Sequence, residues 1–140
     1  MTTIPNFEQH QQSVQTALTA YLYEQNVNSF NELTTQQRHE FCKQQAEKII
    51  STLTITFNVT DKIHYPIISP PQWTVKSSWF SYGVSVWRVL QYEEDLDEFI
   101  KLTHYFYFDG DGKLVEATES KEEDVWRYRL DVFWDLLGLD

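Results

Sequence analysis

The spacing of hydrophobic and polar positions predicts two helices in the first third of the chain. A helix is expected over about 7–25, capped by Asn6, because apolar residues share one face at helical spacing: Phe7, Val14, Leu18, Tyr21 and Leu22. A second helix is predicted to begin near Thr34 or Thr35, and its apolar stripe is formed by Cys42, Ala46, Ile49, Ile50 and Leu53. Because Cys42 lies in this stripe, we expect it to be a core residue and not a nucleophile.

From Leu53 onward the apolar period becomes two, which is typical of β-strands. We predict a strand over about 53–60, a long central strand over 75–90 and a strand over 99–108. The intervening segment 63–71 contains three prolines and is predicted to be a loop that crosses an edge of the sheet. The sequence Asp109-Gly110-Asp111-Gly112 predicts a hairpin turn that leads into a return strand over 113–118.

The C-terminal pattern returns to helical spacing. Ser120 and Glu123 are spaced as a capping box, and Gly138 can end a helix whose apolar stripe is Trp126, Leu130, Phe133, Trp134 and Leu137. The sequence therefore predicts a single acidic α+β domain over 1–140: two N-terminal helices, an antiparallel meander of four to five strands, and one C-terminal amphipathic helix packed on the sheet.

Charge narrows the choice of partners. The chain has 21 acidic and 11 basic residues, a net charge of −10, and residues 61–140 hold sixteen of the acids against eight bases. Nucleic acids and anionic membranes are bound through Lys and Arg, so we predict neither as a partner. A single cysteine, the lack of a signal-peptide pattern and the lack of a long apolar run lead us to expect a cytoplasmic protein.

No metal or cofactor site is predicted. The acidic turn at Asp109 fails as an EF-hand loop, because Leu114 stands where glycine is required and Ser120 where glutamate is required. The four histidines show no metal-ligand spacing, and the chain has no phosphate-binding or dinucleotide-binding glycine motif.

The first functional hypothesis is a small acidic protein-binding module, such as an inhibitor or immunity protein that neutralises a basic, nuclease-like toxin. Opposite charge speeds encounter and aromatic side chains supply affinity, so no catalytic residue is required and a non-enzyme is favoured. The oligomeric state is not indicated. The residues expected to contact the partner are Glu93, Glu94, Asp95, Asp97, Glu98, Tyr65 and Trp73.

The alternative hypothesis is a small-molecule site. The succession of strand, acidic connection, strand, Asp-Gly turn and strand over 79–118 resembles the final sheet of the nuclear-transport-factor-2-like cone fold, which includes isomerases, dehydratases and ligand carriers. The resemblance covers under a third of the chain, which departs from the family by the helix predicted after the last strand. It implies a pocket near His104, with Tyr82 and Tyr105 beside it and His104 as acid or base.

Overall fold

The structure, a computed structural model, describes residues 2–53, 58–59, 62–65, 71–78, 81–92 and 99–122. Within these residues, the helices α1 (Phe7–Glu24) and α2 (Thr35–Thr52) pack against an antiparallel sheet, and a short 3-10 helix, Phe30–Glu32, lies between them in the chain. The α+β class predicted from the sequence is confirmed. No helix of the described residues combines the length and the apolar character needed to cross a membrane.

The sheet within the described residues contains seven strands. They are β1 (Thr2–Thr3), β2 (Asn58–Val59), β3 (Lys62–Tyr65), β4 (Gln72–Ser77), β5 (Ser81–Tyr92), β6 (Phe99–Asp109) and β7 (Leu114–Glu122). The order is β1-β7-β6-β5-β3-β2, and β4 also pairs with β5. Because β4 pairs with residues 82–87 of β5 and β3 with residues 91–92, these two strands follow one another along the same edge of β5.

The two helices begin in different ways. Thr34 caps α2 as a capping box: its hydroxyl accepts a hydrogen bond from the Gln37 amide at 3.1 Å, and its own amide donates to the Gln37 side chain at 2.9 Å. Asn6 precedes α1 but makes no side-chain cap, because it lies in the left-handed region with φ 59°. Asparagine is one of the few residues that tolerate this conformation, so Asn6 serves the turn before α1 and not its first amides.

The core lies between the helices and one face of the sheet. Cys42 and its neighbours on α2 are buried, as the apolar stripe predicted. Alternation along the strands is also confirmed, because Tyr82, Val84 and Val86 are buried together on the helix-facing side of β5. The buried residues of β6 on this side are Leu102, His104, Phe106 and Phe108.

Two strand predictions need correction. The single strand predicted over 75–90 is a pair: β4 ends at Ser77, β5 begins at Ser81, and the Ser78 amide donates to the Ser81 carbonyl at 2.8 Å. The loop predicted over 63–71 begins with a strand instead, since β3 runs to Tyr65 and pairs with β5. The loop prediction was based on three prolines, and the first of them, Pro66, follows the end of β3. The prolines therefore do not interrupt the backbone hydrogen bonds of β3.

The predicted turn at 109–112 is confirmed. The Gly112 amide donates to the Asp109 carbonyl at 3.0 Å, and the Asp109 side chain accepts hydrogen bonds from the amides of Asp111 and Lys113. The return strand is longer than predicted: β7 reaches Glu122, and Ser120 pairs with Thr103. Ser120 is therefore a strand residue and not a helix cap, because pairing with β6 continues past it. The remainder of the predicted C-terminal helix lies outside the described residues.

Cys42 should react with thiol reagents only when the protein unfolds. Its side chain is 0% exposed, and burial raises the pKa of the thiol to about 12. At pH 8 the reactive thiolate is then scarcer by roughly a thousandfold than in a free cysteine. With Ellman's reagent we expect the native protein to release no thionitrobenzoate and the protein in urea to release one equivalent per chain. A native control variant, Ala20→Cys on the exposed face of α1, should release one equivalent of thionitrobenzoate at once. Native Cys42 reacting as fast as that control would contradict the prediction.

Candidate functional site

His104 and Glu119 form a partly buried pair on the helix-facing side of the sheet. They are directly opposite each other in the register of β6 and β7, so their side chains leave the sheet on the same face. The His104 ring is 0% exposed, and its Nε2 lies 3.1 Å from Oε2 of Glu119. The side chain of Glu119 is 27% exposed, so the pair is connected to the surface through the carboxylate.

The Nδ1 atom of His104 is buried and has no hydrogen-bond partner among the described residues. An ionised carboxylate only accepts hydrogen bonds, so the proton of a neutral ring is on Nε2, facing Glu119, and Nδ1 keeps its lone pair. A buried polar atom without a partner costs about 1–3 kcal/mol, and such atoms are uncommon in native proteins. His104 therefore presents an oriented, unused acceptor inside the protein.

Arg88 brings a cation to the same region. It follows Val86 by two residues on β5, and Val86 is the cross-strand partner of His104, so Arg88 and His104 are diagonal neighbours on one face. Burial lowers the pKa of the Arg88 guanidinium, and the Glu119 carboxylate opposes this shift. Its Nη2 atom is buried and has no partner within the described part of the chain. A second oriented hydrogen-bonding group, this time a donor, is thus unused beside the pair.

These three side chains have complementary chemistry. His104 can accept a proton, Glu119 fixes the tautomer of the ring and stabilises the imidazolium, and Arg88 can bind an anionic oxygen. Val86 and Leu102, both 1% exposed, are the cross-strand neighbours of His104 and Arg88 and make the surroundings apolar. Electrostatic interactions are stronger in such surroundings than in water. We refer to His104, Glu119 and Arg88 as the His104 cluster.

The structure does not bring the other two residues of the small-molecule hypothesis to the His104 cluster. Tyr82 shares its face, but it precedes Val86 by four residues, about 13 Å along the strand. Its hydroxyl accepts a hydrogen bond from Arg38 Nη1 at 2.7 Å, and the side chain is buried in the core. Tyr105 lies on the opposite face of β6, because side chains alternate along a strand.

Of the residues predicted to bind a basic protein, Tyr65 and Trp73 belong to described strands. The acidic segment 93–98, which includes Glu93, Glu94, Asp95, Asp97 and Glu98, lies outside the described residues. Tyr65 is the last residue of β3. Trp73 on β4 is half-buried against the core, and Lys43 Nζ lies 5.7 Å from the centre of its ring.

Metal binding finds no support within the described ranges, where no three His, Cys, Asp or Glu side chains are grouped so as to hold an ion. Comparisons of the chain with protein-family models, with curated proteins and with solved structures find no match.

Proposed function

We propose that this domain binds a small carbonyl compound that carries a carboxylate, and that His104 removes a proton from the carbon beside the carbonyl. Reactions of this kind underlie isomerases and dehydratases. The observation that supports the proposal is the buried, unpartnered Nδ1 of His104, held in orientation by Glu119.

In the proposed step, the C–H bond breaks and its proton moves to Nδ1 of His104. The electron pair of that bond passes into an enolate, whose charge lies mainly on the carbonyl oxygen. The Glu119 carboxylate stabilises the imidazolium that forms, and Arg88 binds the carboxylate of the substrate. If the enolate is conjugated with a double bond, return of the proton from His104 to a different carbon gives an isomer. If the neighbouring carbon carries a hydroxyl, the electron pair of the enolate expels it, the His104 imidazolium supplies its proton to the departing oxygen, and water and a dehydrated product result.

A packing role alone accounts less well for these residues. A histidine that only fills space at the edge of a core is expected to satisfy both ring nitrogens, and an arginine at such a site is expected to pair fully. Here one nitrogen of each side chain is buried without a partner in the described part of the protein. A ligand that donates a hydroxyl hydrogen to Nδ1 and accepts a hydrogen bond from Nη2 through an oxygen would satisfy both atoms.

The test is proton exchange into D2O. Pyruvate, 2-oxobutyrate and oxaloacetate are incubated with the protein, and loss of the proton signal beside the carbonyl is followed by NMR. We expect exchange faster than in buffer for at least one compound, and a decrease of about a hundredfold or more in His104→Asn. Arg88→Gln should raise KM more than it lowers kcat, since it removes an anchor.

Glu116→Gln is the matched control, because Glu116 is an exposed glutamate of β7 that lies across from Tyr107, on the other side of the sheet. It should leave exchange unchanged, whereas Glu119→Gln should lower kcat. Circular dichroism spectra establish that each variant is folded. If the parent protein exchanges none of the three compounds faster than His104→Asn, the proposed reaction is wrong.

Binding of a basic protein remains a second proposal, supported by the concentration of acidic residues in positions 61–140. The acidic segment 93–98, which this proposal uses, connects β5 to β6 in the chain, and these two strands are neighbours in the sheet. The two proposals use different residues, so they are compatible.

A further inference from the structure

A groove of about 520 Å³ lies on the sheet face opposite the helices, away from the His104 cluster. Its floor is formed by Ser81, Gly83 and Ser85 of β5, which are too small to fill it. Tyr107 leans over this floor: a Cβ on Gly83 would lie 3.5 Å from Cε1 of the Tyr107 ring. The floor ends at Trp87, whose ring centre is 5.1 Å from Lys101 Nζ.

The lining of this groove differs from the rest of the chain in its charge. Among the described residues that line it, Lys76 and Lys101 are the charged ones, and none is a carboxylate, although the protein has a net charge of −10. Lys76 is opposite Gly83 and Lys101 is opposite Val89, so the two lysines are about 20 Å apart along β5. The described lining of this long groove therefore holds two cations and no carboxylate in an acidic protein.

Hydroxyl and aromatic groups fill the space between the lysines. The hydroxyls of Thr74, Ser85, Tyr105 and Tyr107 belong to this lining and can each donate and accept. The Trp87 and tyrosine rings offer flat apolar surfaces beside these polar groups. A ligand that suits the groove needs many hydroxyls, flat apolar faces and a few negative charges.

We propose that this groove binds a short acidic saccharide whose charged groups are carboxylates. Sugar rings present C–H faces that pack on aromatic rings, and their hydroxyls match the serine, threonine and tyrosine hydroxyls of the groove. A carboxylate at each end of the saccharide would meet Lys76 and Lys101, which act as point charges.

Other extended ligands fit less well. Nucleic acids and densely sulfated glycans need many cations, and the described residues of the groove supply two in a protein of net charge −10. An extended peptide binds a sheet by adding a strand at an open edge. The backbone of β5 below the groove is already paired with β4 on one side and β6 on the other, so a peptide lying in the groove could not pair with β5.

The test is titration calorimetry of the full chain with tetragalacturonate and, in parallel, with its uncharged methyl ester. We expect tetragalacturonate to bind, more weakly as salt is added, and the ester to bind at least about tenfold more weakly. Trp87→Ala, Tyr107→Ser and Lys101→Gln should each weaken binding by about tenfold or more. Lys48→Gln, which removes an exposed lysine of α2, should have no effect.

Each outcome decides the proposal. Failure of tetragalacturonate to bind at millimolar concentration overturns it, and so does equal binding of the ester or binding that survives Trp87→Ala and Lys101→Gln in folded protein. His104→Asn should bind the saccharide as the parent does, because the two sites lie on opposite faces of the sheet. Loss of proton exchange and loss of saccharide binding are thereby distinguished.

Discussion

Replacing Phe30 with alanine should lower the free energy of unfolding by about 3–5 kcal/mol. Phe30 lies in a three-residue 3-10 helix, yet it is 2% exposed. Its ring meets Phe41 of α2 edge-on at 5.8 Å between centroids and Tyr82 of β5 at 5.4 Å. Truncation removes these contacts and leaves a cavity where α2, the sheet and the 109–112 hairpin meet.

The loss is measured by urea unfolding followed by far-UV circular dichroism. Tyr23→Ala is the control, because Tyr23 is an aromatic residue that is 87% exposed. We expect it to change stability by no more than about 0.5 kcal/mol. A Phe30→Ala variant as stable as Tyr23→Ala would mean that Phe30 does not hold the core together.

Replacing Gly112 with valine should cost about 3 kcal/mol or more, for two reasons that add. Gly112 has φ +84°, a conformation that β-branched residues avoid. A Cβ at this position would also lie 2.9 Å from the Phe30 ring, which is closer than real Cβ atoms come. The turn and the core therefore both require glycine. Lys113→Val, an exposed change in the same hairpin, should have a small effect.

A double variant separates the two reasons. In a Phe30→Ala background the ring is gone, so Gly112→Val should cost only the backbone strain, about 1–3 kcal/mol. The two substitutions together should then destabilise the protein less than the sum of their separate effects. Full additivity in urea unfolding would show that the contact between Gly112 and Phe30 carries no strain.

The elements that the sequence pattern predicted correctly are those stabilised by residues close to one another in the chain. The capping residues of α2 and its apolar stripe are encoded within one segment, so the start and the buried face of that helix could be predicted from the sequence. The same holds for the 109–112 turn and for the alternation that places Leu102, Phe106 and Phe108 on one face.

Elements that depend on distant partners were missed. Neither Thr2–Thr3 nor Lys62–Tyr65 has a strong strand pattern. Thr2–Thr3 pairs with β7 and His64–Tyr65 with β5, both remote in sequence. The division of 75–90 into β4 and β5 was missed because both parts are β-prone, so the run reads as one continuous strand.

The candidate site was predicted only in part, for a similar reason. Alternation placed His104 on the apolar face of its strand, and the same alternation placed Tyr105 on the other face. Glu119 and Arg88 gave no signal in the sequence, since their positions beside His104 depend on how β5, β6 and β7 are aligned. A register argument over all three strands could have found them.

The pairing of β1 with β7 has a consequence for the order of folding. Thr2 is the partner of Glu119, and the Ile4 amide donates to the Ala117 carbonyl at 3.1 Å. β1 can therefore pair only after β7, the last described strand, has been synthesised. Closing so long a loop between them costs conformational entropy. During synthesis α1 and α2 can form as soon as they leave the ribosome, whereas β1 stays unpaired until β7 has also left it. Pairing of β1 with β7 is thus expected to be a late step in the folding of this domain.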